Sequence, residues 1–322
     1  MTTYKEIFGT NVEVLSSDPS NPVEGQIWYN STSQTLKGYA LVAGSWATAG
    51  PLNTARAETT GCGTQTAGLC FGGVTPVVTG ATELYNGTTW TSNPNSMNSG
   101  RRRLAGTGIQ TAALAFGGLV SPGPVVGNTE SFNGTSWTEL NDLNTARFGL
   151  GAAGTNTAAL GFGGTPPVTG ATETWNGTSW TEVNDLNTGR ANLGSCGATN
   201  TAALAFAGRS TVDLANTENW NGTSWTEVND LNFEKDQSAG AGTNTAALSF
   251  GGNVGPPVLT NTEVWNGTSW TEVNDMITGR NVLGGAGTNT AGLAFGGNTT
   301  VIVASTEEWS GPAVQTVNIT TS

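Results

Sequence analysis

An all-β fold made of six copies of one four-stranded unit is what this 322-residue sequence predicts, and three observations predict it. The first is periodicity. An F-G-G-like triplet begins at Phe71, Phe116, Phe162, Phe206, Phe250 and Phe295, at spacings of 45, 46, 44, 44 and 45 residues. A period of this size marks supersecondary units that cannot bury their apolar faces alone and stack on their neighbours. The second is composition. The chain holds 47 glycines and only 11% charged residues, which favours short strands and tight turns, and no segment carries the 3.6-residue period of a helix. The third is where the repeat is cut. A threonine–glutamate step leads to an aromatic at Tyr85, Phe132, Trp175, Trp220, Trp265 and Trp309, and in five units a tryptophan follows at Trp90, Trp137, Trp180, Trp225 and Trp270. The sixth unit stops at Trp309, whereas Trp46 stands near the N-terminus in the same Ser-Trp context with no triplet before it. These two incomplete ends make a sixth whole unit only if the chain closes into a ring.

The third unit justifies the strands in order. Residues Arg147 to Gly154 are so poor in bulk that they read as a first strand closely approached by another backbone, as the crowded centre of a propeller requires. Thr157 to Phe162 reads as the second strand and Ala171 to Trp175, after a Pro-containing loop, as a third with half-buried alternation. Asn176-Gly177 supplies the positive-φ pair of a two-residue type I′ hairpin, and Thr178 to Val183 returns as the fourth strand. The Asn-Gly element also matches a glycosylation sequon at Asn86, Asn133, Asn176, Asn221 and Asn266; the hairpin explains it better. Bulk rises from first strand to fourth, as expected from ring axis to rim. The expected architecture is a six-bladed β-propeller over residues 45–311, closed by pairing of the Trp46 strand with the C-terminal blade. An attachment segment (1–44) precedes it and a tail (312–322) follows. Trp46, Trp90, Trp137, Trp180, Trp225, Trp270 and Trp309 are its expected structural core.

The double glycine, the aromatic of the next strand and the following tryptophan, as in Gly163-Gly164, Trp175 and Trp180, resemble kelch repeats. That resemblance implies a propeller of four-stranded blades, often closed by strand exchange between the termini. The spacing of aromatic to tryptophan is compressed to five residues here, and Phe or Trp stands where Tyr is common. A shorter stretch, Asp18 to Ser31 with its Gly25-Gln26-Ile27-Trp28-Tyr29-Asn30 core, followed by Leu36-Lys37-Gly38-Tyr39, resembles a segment of phage tail-fibre and other virion proteins. It implies docking to a particle, with Ile27, Trp28 and Tyr29 as the candidate contacts.

Charge and chemistry narrow the function. The net charge is −12, which leaves no electrostatic footprint for nucleic acid or an anionic membrane. No apolar run approaches the ~18 residues that span a bilayer, and the N-terminus lacks the apolar core of a secretory signal. Synthesis in a host cytoplasm without Sec-type export is the expectation, with the virion as final location. Cys62, Cys70 and Cys196 read as small core residues. The sequence contains no histidine, so imidazole-based metal centres and Ser-His-Asp or Cys-His nucleophiles are excluded, and no phosphate-binding glycine loop is present. No enzyme, cofactor or metal is expected. The repeated glutamates Glu83, Glu130, Glu173, Glu218, Glu263 and Glu307 either pair with Arg56, Arg101, Arg147, Arg190, Lys235 and Arg280 as bonds between blades or line a solvated rim. Arg101-Arg102-Arg103 reads as a solvated loop holding one such arginine.

Units differ mainly in the loops between second and third strands. These carry Val77, Val78, Val125, Val126, Pro167, Val168, Val212, Pro257, Val258, Val301 and Ile302, the candidate partner-binding face if they are exposed. The loops contain no aromatic residue. A phage virion protein displayed in multiple copies or as a homo-oligomer follows as the expected function, as a tail fibre or receptor-binding protein. Its partners would be other virion proteins and a host cell-surface receptor. Capsid or tail decoration and an intracellular kelch adaptor are the alternatives.

Overall fold

A computed structural model describes residues 12–320, and every regular element in it is a strand. The strands form seven four-stranded sheets, one more than the repeat count predicts. Two compact units divide them: residues 45–310, and the two ends of the chain outside that span.

Six sheets belong to the repeat. The first runs Thr60–Thr64, Ala67–Phe71, Thr82–Tyr85, Trp90–Asn93 in consecutive antiparallel order. The next four have first strands Ala105–Ile109, Gly151–Gly154, Gly194–Thr199 and Ala239–Thr243. The last is Gly284–Gly287, Ala291–Phe295, Thr306–Ser310 and then Ser45–Ala49, with Trp46 opposite Trp309.

Neighbouring sheets interlock through the residues that recur in sequence. Each fourth-strand tryptophan donates its indole N–H to the third-strand threonine of a neighbouring sheet: Trp137 to Thr82, Trp180 to Thr129, Trp225 to Thr172 and Trp270 to Thr217, at 2.9–3.1 Å. Trp46 does the same to Thr262 and Trp90 to Thr306, both at 3.0 Å. The same tryptophans pack on neighbouring Phe rings, as Trp180 does on Phe116 at 4.7 Å, a separation suited to edge and tilted ring contacts. The double glycines have a backbone reason. Gly163 and Gly164 hold φ of 67° and 106°, which only glycine adopts without strain, and the Arg190 carbonyl of the following unit accepts from Gly164 N–H at 2.8 Å. A Cβ on Gly163 would sit 2.6 Å from that carbonyl.

Two local expectations are corrected. The third-to-fourth hairpin is not a two-residue type I′ turn: Trp175 pairs directly with Trp180, which leaves a four-residue loop. Only its glycine has positive φ, 92° at Gly177. The Asn176 carboxamide oxygen accepts the N–H groups of Thr178 and Ser179 at 2.9 Å, so the side chain does what a second backbone bond does in a tighter turn. The second correction concerns the expected tail, 312–322, of which 312–320 are described: Ala313–Asn318 is no simple tail but pairs with Thr35–Val42. That pair completes the seventh sheet with Ile27–Asn30 and Glu13–Leu15, the latter parallel to its neighbour.

Candidate functional site

The cations that open each unit and the glutamates of the third strands form buried ion pairs. Arg101 meets Glu130 at 2.8 Å, Arg147 meets Glu173 at 3.0 Å and Arg280 meets Glu307 at 2.9 Å, all with side chains at most 3% exposed. Arg56–Glu83, Arg190–Glu218 and Lys235–Glu263 repeat the pattern. Each pair lies within one repeat, 26–29 residues apart where a hydrogen bond joins it, so neither the between-blade nor the rim expectation holds. Burial pulls the affinity of Arg101, Arg147, Arg190 and Arg280 for their protons down, and the paired glutamate opposes it. The second glutamate oxygen is also used: Glu130 accepts the backbone and side-chain N–H of Asn98 at 2.7 and 3.0 Å. A buried charge needs this saturation, and the arrangement is structural.

The loops and the connections between sheets meet one another. Leu186 N–H reaches Gly170 and Leu231 N–H reaches Ala215, both at 3.0 Å. The candidate loop residues divide. Val77, Val168, Val212 and Val301 are exposed, as are Pro167 and Pro257. Val78, Val125, Val126, Val258 and Ile302 are only half-exposed, because the chain turns back there: Val78 bridges Val74 and Val258 bridges Asn253. Each loop therefore offers a narrow tip rather than a broad apolar rim. Sequence reading missed Val254, Phe233 and Ile277, which are exposed as well; Phe233 and Ile277 were legible as apolar residues where sibling units carry Thr and Asn.

Of the candidate docking residues, Trp28 is fully buried and cannot be a contact. Its indole N–H donates to Asp18 at 3.0 Å, as do Asn30 Nδ2 and Lys37 Nζ at 2.7 Å. Strand alternation explains the burial, since Trp28 and Asn30 face one way while Ile27 and Tyr29, half-buried, face the other. Three donors hold the Asp18 carboxyl at about 2, the Lys37 bond counting most. Cys62, Cys70 and Cys196 are free and buried, and burial pushes the Cys62 thiol up to about 12, so none is a ready nucleophile.

The first strands of the six repeat sheets line a cavity of about 440 Å³, walled by small residues such as Gly61, Gly106, Ala152 and Gly240. Residues 58, 103, 149, 192, 237 and 282 bond head to tail: Arg103 N–H to Glu58, Gly149 to Arg103, Asn192 to Gly149, Gln237 to Asn192, Val282 to Gln237 and Glu58 to Val282, at 2.6–3.0 Å. Arg102 and Arg103, expected to be solvated, grip Glu58 of the neighbouring unit at 2.6 and 2.9 Å. Among the described residues no cluster of three or more His, Cys, Asp or Glu is arranged to hold a metal ion.

No family model matches this sequence, and no curated protein matches it significantly.

Proposed function

We propose that residues 45–310 form a closed six-bladed propeller and that this chain is a non-enzymatic binding and display protein of a phage virion, most simply a tail-fibre or receptor-binding component. Support for the ring comes from the Trp46–Trp309 pairing and from the Trp90 indole–Thr306 bond, which joins first sheet to last. The reading of function rests on one observation: six units share one buried frame, and differ where the chain is exposed, at the loop tips and the connections beside them. A frame repeated six times with varied tips suits non-covalent contact summed over many weak sites and many copies. The segment built around Asp18 and Trp28 resembles virion proteins and belongs to the chain-end unit, which supplies the attachment to the particle. Ile27 and Tyr29 remain the candidate contacts there.

Full-length protein offered to phage particles and to host envelope preparations tests the reading. Binding to both, with Val212→Asp weakening only the envelope interaction, is expected. Retention by neither retires the proposal. Binding to particles alone makes the chain a decoration protein instead.

A further inference from the structure

A strand at the edge of a sheet keeps half of its backbone N–H and C=O groups unpaired, and folded proteins protect such edges with short strands, charges or proline. The repeat sheets follow that rule. Their fourth strands are three to five residues long, and four of the six carry a glutamate, at Glu139, Glu182, Glu227 and Glu272. In the chain-end sheet one edge is Glu13–Leu15, which is also short and acidic. The other edge is unprotected. Ala313–Asn318 is six residues long, and neither it nor the following Ile319 and Thr320 contributes a charge or a proline. Gln315, Thr316 and Asn318 are exposed and the two valines half-exposed.

Register fixes which backbone groups of this edge are free. Ala313–Asn318 runs antiparallel to Thr35–Val42, with Thr316 opposite Tyr39. Ile319 N–H donates to the Leu36 carbonyl at 2.8 Å on that side, whereas Tyr39 donates to Gln26 at 2.9 Å and accepts from Gly25 at 2.8 Å, away from it. Antiparallel bonding alternates along a strand, so Gln315, Val317 and Ile319 bond inward while Val314, Thr316 and Asn318 turn their N–H and C=O groups outward. Among the described residues nothing pairs with that outer row.

The outer row is complementary to itself. Turned about a two-fold axis through Thr316, a second copy sets Thr316 against Thr316 and Val314 against Asn318, each pair exchanging N–H···O=C bonds in both directions. No group of the row is left over. Charge favours this line of approach over others, because copies of a chain with net charge −12 repel one another, and residues 313–320 add nothing to that repulsion.

We infer that Ala313–Asn318 is a docking edge for a second copy of this chain, through which two chain-end sheets join antiparallel into one continuous sheet. Main-chain bonds along one short strand make a small interface, so the dimer is concentration-dependent. This self-pairing stands or falls apart from the particle attachment proposed above. Sedimentation of full-length protein over a concentration series is expected to show monomer and dimer in exchange. Thr316→Pro removes an outward N–H and no inward bond, which an edge strand tolerates; it should weaken the dimer at least about ten-fold and leave the Tm unchanged. Thr316→Lys sets like charges face to face at the two-fold axis and should be monomeric alone, yet dimerise when mixed with Thr316→Glu. Wild-type protein that stays monomeric up to about 1 mM overturns the inference. So does a dimer untouched by both Thr316→Pro and Thr316→Lys, or a loss in Thr316→Lys that Thr316→Glu cannot restore. Particle binding by a monomer, lost in Thr316→Pro, would assign the edge to a strand of another protein and overturn the inference as well.

Discussion

At the scale of single residues, Asp18 shows how one carboxylate organises a short segment. Its oxygens take the Trp28 indole, the Asn30 carboxamide and the Lys37 ammonium, which ties the loop before the second strand to two strands of the seventh sheet. The sequence showed the Trp28-Tyr29-Asn30 run and suggested contacts. It did not show that alternation turns Trp28 inward, because a lone aromatic reads equally as an anchor or as core. The carboxyl is lowered from 3.8 to about 2, so its stabilising contribution is fully present above about pH 4 and is lost as pH falls through 2. Trp28 should report an acid transition in that window, separable from the rest of the chain by NMR. In Asp18→Asn that transition should vanish, and an unchanged acid profile would show that Asp18 does not hold the segment.

At the scale of elements, the buried pairs tie each connection to its own third strand. Removing one partner leaves a charge in the dark. Glu130→Ala, which strands Arg101 at 0% exposure, should cost about 3–5 kcal/mol in denaturant unfolding, whereas replacing both residues by apolar ones should recover most of the loss. The fifth unit departs from its siblings. Lys235 stands 3.6 Å from Glu263, and its ammonium and the buried Ser249 hydroxyl both lack hydrogen bonds. In the fourth unit Arg190 instead reaches the Ala205 carbonyl at 3.3 Å. Lys235→Arg combined with Ser249→Ala should therefore stabilise the protein by about 1 kcal/mol; a lower unfolding midpoint would mean the pocket cannot take a guanidinium. The pairing of these residue types was visible from their equal recurrence, but whether they met inside a repeat or between repeats was not, since both separations are compatible with the period.

At the scale of the whole molecule, the proposed ring depends on strand Ser45–Ala49, whose Trp46 is 7% exposed and touches Trp309 at a ring separation of 5.6 Å. Trp46→Ala should cost about 3–5 kcal/mol and make the sixth sheet the first to open, with early protease cleavage near Trp309. An equivalent loss spread evenly over all sheets would argue that the chain ends do not serve as the latch. The pairing of Ala313–Asn318 with Thr35–Val42 brings residues from both ends of the sequence into one sheet.

By itself the sequence determined the all-strand character, the six repeated units and their strand order, because these depend on local alternation, glycine backbone freedom and a period repeated often enough to average out accidents. Only the tertiary structure decided what the non-repeating residues do. The seventh sheet, the grip of Arg102 and Arg103 on Glu58 and the inward turn of Trp28 onto Asp18 each join residues that occur once and lie far apart in the chain or on different strands. No periodicity marks such contacts, and their energies come from burial and charge that exist only after the chain has folded.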